Sequence, residues 1–137
     1  MKKINKIRTV SIVALALVAS LLALCLPENA QNTPAGTVRA FHIRLSERDF
    51  DGALECIEPT VRYEPEFSGK AVEMFSETAD SYDDRGGLVD VESLGVEYAD
   101  ADHAYFRARL VFGSDEPQEE EGKLLKVDGR WFISFGF

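Results

Sequence analysis

The spacing of apolar residues along this chain changes twice, near residue 26 and near residue 88. Residues 10–26 are uncharged and almost wholly apolar, and the basic residues that precede them are Lys2, Lys3, Lys6 and Arg8. A basic start followed by an uncharged apolar segment is typical of a signal peptide or a membrane anchor. We therefore separate residues 1–26 from the fold and expect residues 27–33 to be a polar tether.

Helical spacing dominates residues 34–82, where apolar residues recur every three or four positions. Thr33-Pro34 suits a helix start, since threonine caps and proline fits the first turn. A second short helix covers residues 50–57, and Pro59 is expected to end it. Residues 60–68 are predicted to be irregular, with a third helix from about Gly69 to Tyr82.

From Leu88 onward the apolar positions alternate, which predicts four antiparallel strands. In the first strand Val89 and Val91 have one parity and Leu94 and Val96 the other, and such a shift indicates a β-bulge beside Gly95. The second strand has five inward positions: Ala104, Phe106, Ala108, Leu110 and Phe112. A tight hairpin at residues 127–130 leads to a last strand in which Trp131, Ile133, Phe135 and Phe137 alternate with Phe132 and Ser134. Three helices packed on a bent four-stranded antiparallel sheet make an α+β fold.

Charge excludes one class of partner. The chain has a formal charge of −9, and without residues 1–25, which contain four basic residues and no acidic ones, the charge is −13. A domain this acidic repels phosphate backbones, so we expect no nucleic-acid partner. Cys56 is the one cysteine of the predicted domain, which leaves no internal disulfide, and no zinc-type spacing of Cys and His occurs. We expect no metal and no cofactor.

Three fates of the N-terminal segment are compatible with its sequence. It is cleaved as a signal peptide, retained as an anchor with its lysines on the cytoplasmic side, or lipidated at Cys25. Leu22-Ala23-Leu24-Cys25 resembles a bacterial lipobox, although Leu24 stands where that pattern has a small residue. Each fate places the domain outside the cytoplasmic membrane, either membrane-anchored or secreted.

Several motifs carry a family resemblance. The opening Thr33-Pro34 through Phe41, the segment Glu47 to Pro59, and the ending Lys126-Val-Asp-Gly-Arg-Trp131 resemble NTF2-like domains. More narrowly, residues 34–137 are similar to small bacterial envelope proteins of the DUF4878 type. The resemblance implies a curved sheet wrapped around helices as a cone with an open mouth. It implies no single activity, because the superfamily contains isomerases, dehydratases, ligand binders and accessory domains.

Two pairs of residues are the candidates for a site. His42 lies on the apolar stripe of the first helix, where a buried histidine near an acid can act as a general base, and Asp90 beside the bulge is its candidate partner. The bland interpretation makes His42 a core-edge residue and Asp90 part of the solvent face. Tyr63 and Tyr98 are candidate hydrogen-bond donors to a ligand, or else rim aromatics.

Three functional hypotheses follow. The leading one is a non-enzymatic domain that binds a protein partner or small ligand in the cell envelope. The second is a cone-pocket enzyme of isomerase or dehydratase type with His42 as base, which needs an open interior. The third is homodimerisation through an outer apolar strip formed by Tyr105, Val111 and Phe132.

Overall fold

The structure, a computed structural model, describes residue 26 and residues 29–135. Apart from Leu26, the predicted export segment with Cys25 lies outside these residues, as does Phe137 of the predicted last strand. Within the described part of the chain, no helix combines the length and the apolar character that crossing a membrane requires.

Four α-helices precede the sheet in the described residues, one more than the sequence predicts. They are α1 (Pro34–Ser46), α2 (Phe50–Leu54), α3 (Pro59–Arg62) and α4 (Pro65–Asp84). A 3₁₀ turn at Ala30–Asn32 comes before α1, within the residues predicted to be a tether, and it buries Ala30 and Gln31 against the domain.

Prolines account for the differences in the helices. Pro59 and Pro65 are the first residues of α3 and α4. The prediction of an irregular segment over residues 60–68 was therefore wrong, as was the start of the third helix near Gly69. Proline is well suited to the first helical position, where its missing N–H has no intrahelical acceptor to lose.

The predicted start of α1 is confirmed. Pro34 is its first residue, and the Thr33 hydroxyl oxygen accepts a hydrogen bond of 3.0 Å from the Gly36 amide. Asp49 caps α2 in the same way, through a bond of 3.0 Å from the Gly52 amide. These caps fix where the chain turns between α1 and α2.

The sheet has the order β1-β2-β3-β4 with every neighbouring pair antiparallel, as predicted. Its strands are β1 (Leu88–Tyr98), β2 (His103–Phe112), β3 (Gln118–Val127) and β4 (Arg130–Ser134). All five predicted inward residues of β2 are buried. Helix α1 packs against both outer strands, β1 and β4, because the sheet curves around it.

Two irregularities bend β1. The predicted bulge is confirmed by a register shift between Ser93 and Gly95, and a second shift lies between Leu88 and Asp90. The second shift moves Val89 to the solvent side, so the predicted shared face of Val89 and Val91 was wrong.

Aromatic side chains fill the space between the helices and the sheet. Phe75, Phe106 and Trp131 belong to one buried cluster, and Phe41 packs against it. Gly122 lies opposite Phe106 on the neighbouring strand, and a side chain there would collide with the Phe106 ring. Much of the interior beneath the sheet is therefore an aromatic core, and a cleft of about 160 Å³ between α1 and the sheet is lined in part by Val38, Val91 and Ala108.

The outer apolar strip expected on the sheet is interrupted. Phe132 is only 5% exposed, because the guanidinium carbons of Arg62 and Arg130 lie 5.8 and 5.7 Å from its ring centre. Beyond β4, residues 56–58 cover the strand edge, with a 2.7 Å bond from the Ile133 amide to the Cys56 carbonyl. Tyr105 and Val111 therefore lack the third member of the predicted strip.

Candidate functional site

His42 lies on the inner side of α1 and is 4% exposed. Both of its ring nitrogens are engaged: Nδ1 lies 2.7 Å from the Tyr82 hydroxyl, and Nε2 contacts a carboxylate oxygen of Glu120. We refer to His42, Tyr82 and Glu120 as the His42 network.

Three elements bring this network together. Tyr82 continues the inward stripe of α4, which includes Phe75 and Ala79, and it falls in the last turn of that helix. Glu120 pairs with Ala108 across the β2–β3 ladder, and because Ala108 points inward, Glu120 points inward too. A carboxylate on the inner face of the sheet thus meets the histidine of the helix beneath it.

The hydrogen bonds are mutually consistent with neutral His42. Tyr82 then donates its hydroxyl proton to Nδ1, and Nε2–H donates to Glu120. Burial, together with the charge of Glu120, raises the pKa of Tyr82, while Arg85 opposes the rise. Tyr82 therefore stays protonated and acts as a donor rather than as a nucleophile.

Aromatic rings surround the network. The Phe41 ring centre lies 5.2 Å from that of His42 in an edge-on arrangement, and the Phe112 ring centre lies 5.5 Å from that of Tyr82. Arg85 covers the Phe112 ring at 5.1 Å. The histidine is held among packed side chains, with both ring nitrogens already hydrogen-bonded.

Asp90, the predicted partner of His42, is bound elsewhere. Its carboxylate accepts a bond of 2.6 Å from Arg39, whose guanidinium also donates to the Val91 carbonyl at 3.1 Å. The sequence reading missed Glu120 because it stands between Glu119 and Glu121 and looks like part of a solvated run. Counting back in twos from the buried Leu124 would have placed Glu120 on the inner face.

The candidate tyrosines are separated and face solvent. Tyr63 is 76% exposed, with the Arg62 guanidinium carbon 5.0 Å from its ring centre. Tyr98 is also exposed, and its ring packs edge-on against Trp131 at 5.8 Å. The structure brings neither tyrosine to the His42 network.

A groove of about 670 Å³ crosses β1, β2 and β3, which is within the range of ligand sites. Six of the residues that line it form two rows of cross-strand partners, Gly95–Arg107–Glu121 and Glu97–Tyr105–Lys123. The Arg107 side chain is 60% exposed, with its nearest carboxylate, Glu119, at 3.6 Å. Space beside Gly95 is open, since a side chain there would meet nothing within 4 Å. His42 is not among the residues that line this groove.

Outside this network, the described residues offer little for a metal or for covalent chemistry. No group of three or more His, Cys, Asp and Glu is placed to hold a metal ion in the described part of the chain. Cys56 is buried and free, and burial raises the pKa of its thiol. His103 pairs with Asp100 at an exposed turn, at 2.8 Å.

Comparison with known proteins identifies the fold of the chain. No family model matches the chain, and no curated protein matches it significantly. Among solved structures, a Campylobacter jejuni protein proposed to be an NTF2-like transpeptidase is similar with a TM-score of 0.67 and 21% identity, over 76% of this chain and 99% of that one. RPA3114, a SEC-C motif protein of Rhodopseudomonas palustris, has a TM-score of 0.52 and 20% identity, over 78% of this chain and 79% of that one. At such identities the likeness shows the fold alone, and that fold is NTF2-like.

Proposed function

We propose that this protein is an exported or membrane-anchored NTF2-like domain of the DUF4878 type that binds a protein partner in the cell envelope without converting a substrate. The groove across β1–β3 is the observation that carries the proposal. It combines an exposed aromatic ring, an exposed arginine and open space beside Gly95.

The charge pattern of the groove favours a polypeptide over a small anion. Glu97 and Glu121 flank Arg107 and Lys123, so a compact anion meets repulsion from two sides. A protein surface with charges of both signs complements this wall. Tyrosine and arginine are also enriched among the residues that contribute most to binding at protein interfaces.

Site-specific photo-crosslinking in the native host tests the groove. A photoreactive residue at position 105 should give one discrete adduct, and Arg107→Glu should weaken it. The matched control is position 72 on α4, where Val72 is similarly exposed on another face. Equal adducts from positions 105 and 72, or none from position 105, would count against the proposal. An adduct of twice the mass of the chain would instead identify a homodimer.

Protease accessibility tests the location. In spheroplasts, externally added protease should digest the domain while cytoplasmic markers survive. Protection of the domain until the membrane is lysed would contradict export, irrespective of the crosslinking result.

The alternative function is the cone-pocket enzyme with His42 as general base, and its hydrogen bond to Glu120 is the feature that favours it. A substrate would have to displace Tyr82 or Glu120 to reach a ring nitrogen. If the binding proposal is right, His42→Gln leaves the yield of crosslinking at position 105 unchanged when it is normalised to folded protein. Loss of a measured isomerase or dehydratase activity in that variant would support the enzyme.

A further inference from the structure

A small polar cleft of about 180 Å³ lies where the N-terminal segment joins the domain. It is lined by Asn29, Ala30, Gln31, Asn32, Arg44 and Arg130. None of these residues belongs to the His42 network or to the groove across the sheet. Among the described residues no carboxylate lines the cleft, although the chain as a whole is strongly acidic.

Arg130 is held in place by a buried amide. Its Nη2 donates to the side-chain oxygen of Gln31. The Gln31 side-chain nitrogen in turn donates to the carbonyls of Glu55 and Trp131 at 3.2 and 3.1 Å. Within the described part of the chain one Arg130 nitrogen donates a hydrogen bond, and a guanidinium has five N–H donors.

Arg44 is oriented from the other side of the cleft. Its Nη1 donates to the Gly52 carbonyl at 3.0 Å and contacts the Cys56 sulfur at 3.3 Å. With respect to residue 26 and residues 29–135, its other nitrogens remain as donors. Two pre-oriented guanidiniums therefore share one cleft.

Arg44 and Arg130 form no ion pair with a carboxylate of the described residues. Among the described residues neither Arg44 nor Arg130 has a carboxylate oxygen within 4.0 Å, whereas Arg48 and Arg109 each have two acidic partners. Burial raises the pKa of the Cys56 thiol and the charge of Glu55 adds to the rise, whereas the positive charges of Arg44 and Arg130 both oppose it. Both cations thus act on the same small region.

We propose that this cleft binds a phosphate group, supplied by a membrane-lipid headgroup or by a free phosphate or phosphate ester. Guanidinium forks match the oxygens of phosphate in geometry and charge, and the amides of Asn29 and Asn32 add neutral donors. A volume of 180 Å³ corresponds to the liquid share of about six waters, enough for a tetrahedral anion with part of its hydration.

The lipid source rests on the proposed membrane anchoring. The apolar segment ends at Leu26, and the three residues from there to Asn29 span at most about 10 Å. A headgroup at the membrane surface would then lie within reach of the cleft if the anchor is retained.

Titration of the full chain in a maltoside detergent with inorganic phosphate, at constant ionic strength set by chloride, tests the site. The single tryptophan, Trp131, adjoins Arg130 and reports binding by fluorescence, with amide NMR shifts as the second readout. The double variant Arg44→Gln, Arg130→Gln should bind phosphate about tenfold more weakly or worse, and the control Arg107→Gln should bind it normally. An unsaturable response, or equal affinity in the double variant, overturns the proposal.

Two further variants keep the test independent of folding. Asn32 is exposed and its side chain makes no hydrogen bond within the described residues, so Asn32→Asp should weaken phosphate binding without unfolding the domain. Glu28 precedes Asn29 in the sequence but lies outside the described residues. If phosphate binds only to a Glu28→Gln variant, the cleft serves a carboxylate of this chain and the proposal fails.

Hydrogen exchange over residues 29–33 separates the two sources. The full chain is reconstituted in nanodiscs of phosphatidylcholine with and without phosphatidic acid, in phosphate-free buffer. Protection that the double variant abolishes identifies a lipid headgroup, and protection only after inorganic phosphate is added identifies a free ion. No protection in either condition contradicts the proposal. The detergent titration depends neither on anchoring nor on a groove partner, so its failure is distinct from theirs.

Discussion

His42 and Tyr82 place polar groups in the buried core, and Glu120, whose side chain is 29% exposed, satisfies His42 from the inner face of the sheet. A buried donor or acceptor left without a partner costs about 1–3 kcal/mol, whereas a completed network costs little and restricts the packing to one arrangement. At the scale of single residues, the network therefore fixes how α1, α4 and β3 meet.

Removing one hydroxyl tests this view. We expect Tyr82→Phe to lower the free energy of unfolding by about 1–3 kcal/mol, because Nδ1 of His42 loses its partner in a buried site. Tyr63→Phe removes the same atom from an exposed ring and should change stability by less than about 0.5 kcal/mol. Urea unfolding followed by circular dichroism measures both, and equal effects would show that the network adds no stability.

The raised pKa of Tyr82 predicts that the free energy of unfolding falls at alkaline pH. Burial, with the charge of Glu120, keeps the proton on folded Tyr82, while an unfolded tyrosine loses it near pH 10. The contribution is fully present below about pH 10 and declines as the pH rises above it. Urea curves from about pH 9 to 11 should therefore show a steeper loss in the unchanged chain than in Tyr82→Phe. Parallel curves would contradict the assignment, since Cys56 is common to both proteins.

The sequence predicted one of the three residues of this network. His42 was identifiable because it shares a helical stripe with apolar residues. Asp90 was the wrong partner, since a second bulge in β1 and an arginine from α1 settle its position, and neither follows from alternation. Glu120 was hidden in an acidic run, and only its register with Ala108 shows that it points inward.

At the scale of elements, strands followed from the sequence more reliably than helices. Five apolar residues at every second position predict the inward face of β2, and the burial of each one confirms it. Short helices such as α3 have too few residues to show a period, so Pro59 was taken as an end when it is a beginning. A proline is disfavoured inside a helix, but it is compatible both with the end of a preceding helix and with the start of a following one.

Two glycines of the sheet, one in β1 and one in β3, offer a matched test of packing. A Cβ on Gly122 would stand 2.8 Å from the Phe106 ring, whereas one on Gly95 would meet nothing within 4 Å. We expect Gly122→Ala to destabilise by about 1–3 kcal/mol through overpacking, and Gly95→Ala to be neutral or slightly stabilising. Thermal unfolding of both variants measures this, and a harmless Gly122→Ala would mean that the Phe106 ring has room to move.

At the scale of the whole molecule, the domain begins earlier than the sequence indicates. Residues 27–33 look like a polar tether, yet Gln31 is buried and ties the incoming chain to the carbonyls of Glu55 and Trp131 and to Arg130. Nothing in the local composition announces this, because its partners lie 24 and 100 positions away. Residues 29–33, which Gln31 fixes in this way, have little freedom to move relative to the rest of the domain.

Replacing this residue tests the coupling. Gln31→Ala removes the three hydrogen bonds of a buried side chain, which are those to the Glu55 and Trp131 carbonyls and the one from Arg130, and we expect a loss of about 1–3 kcal/mol in the free energy of unfolding. Protease should also cleave residues 29–33 faster in this variant, because the turn detaches before the rest of the domain unfolds. Asn32→Ala, an exposed neighbour, should leave both quantities unchanged. Equal cleavage in the two variants would mean that residues 29–33 move independently of the domain, as a tether does.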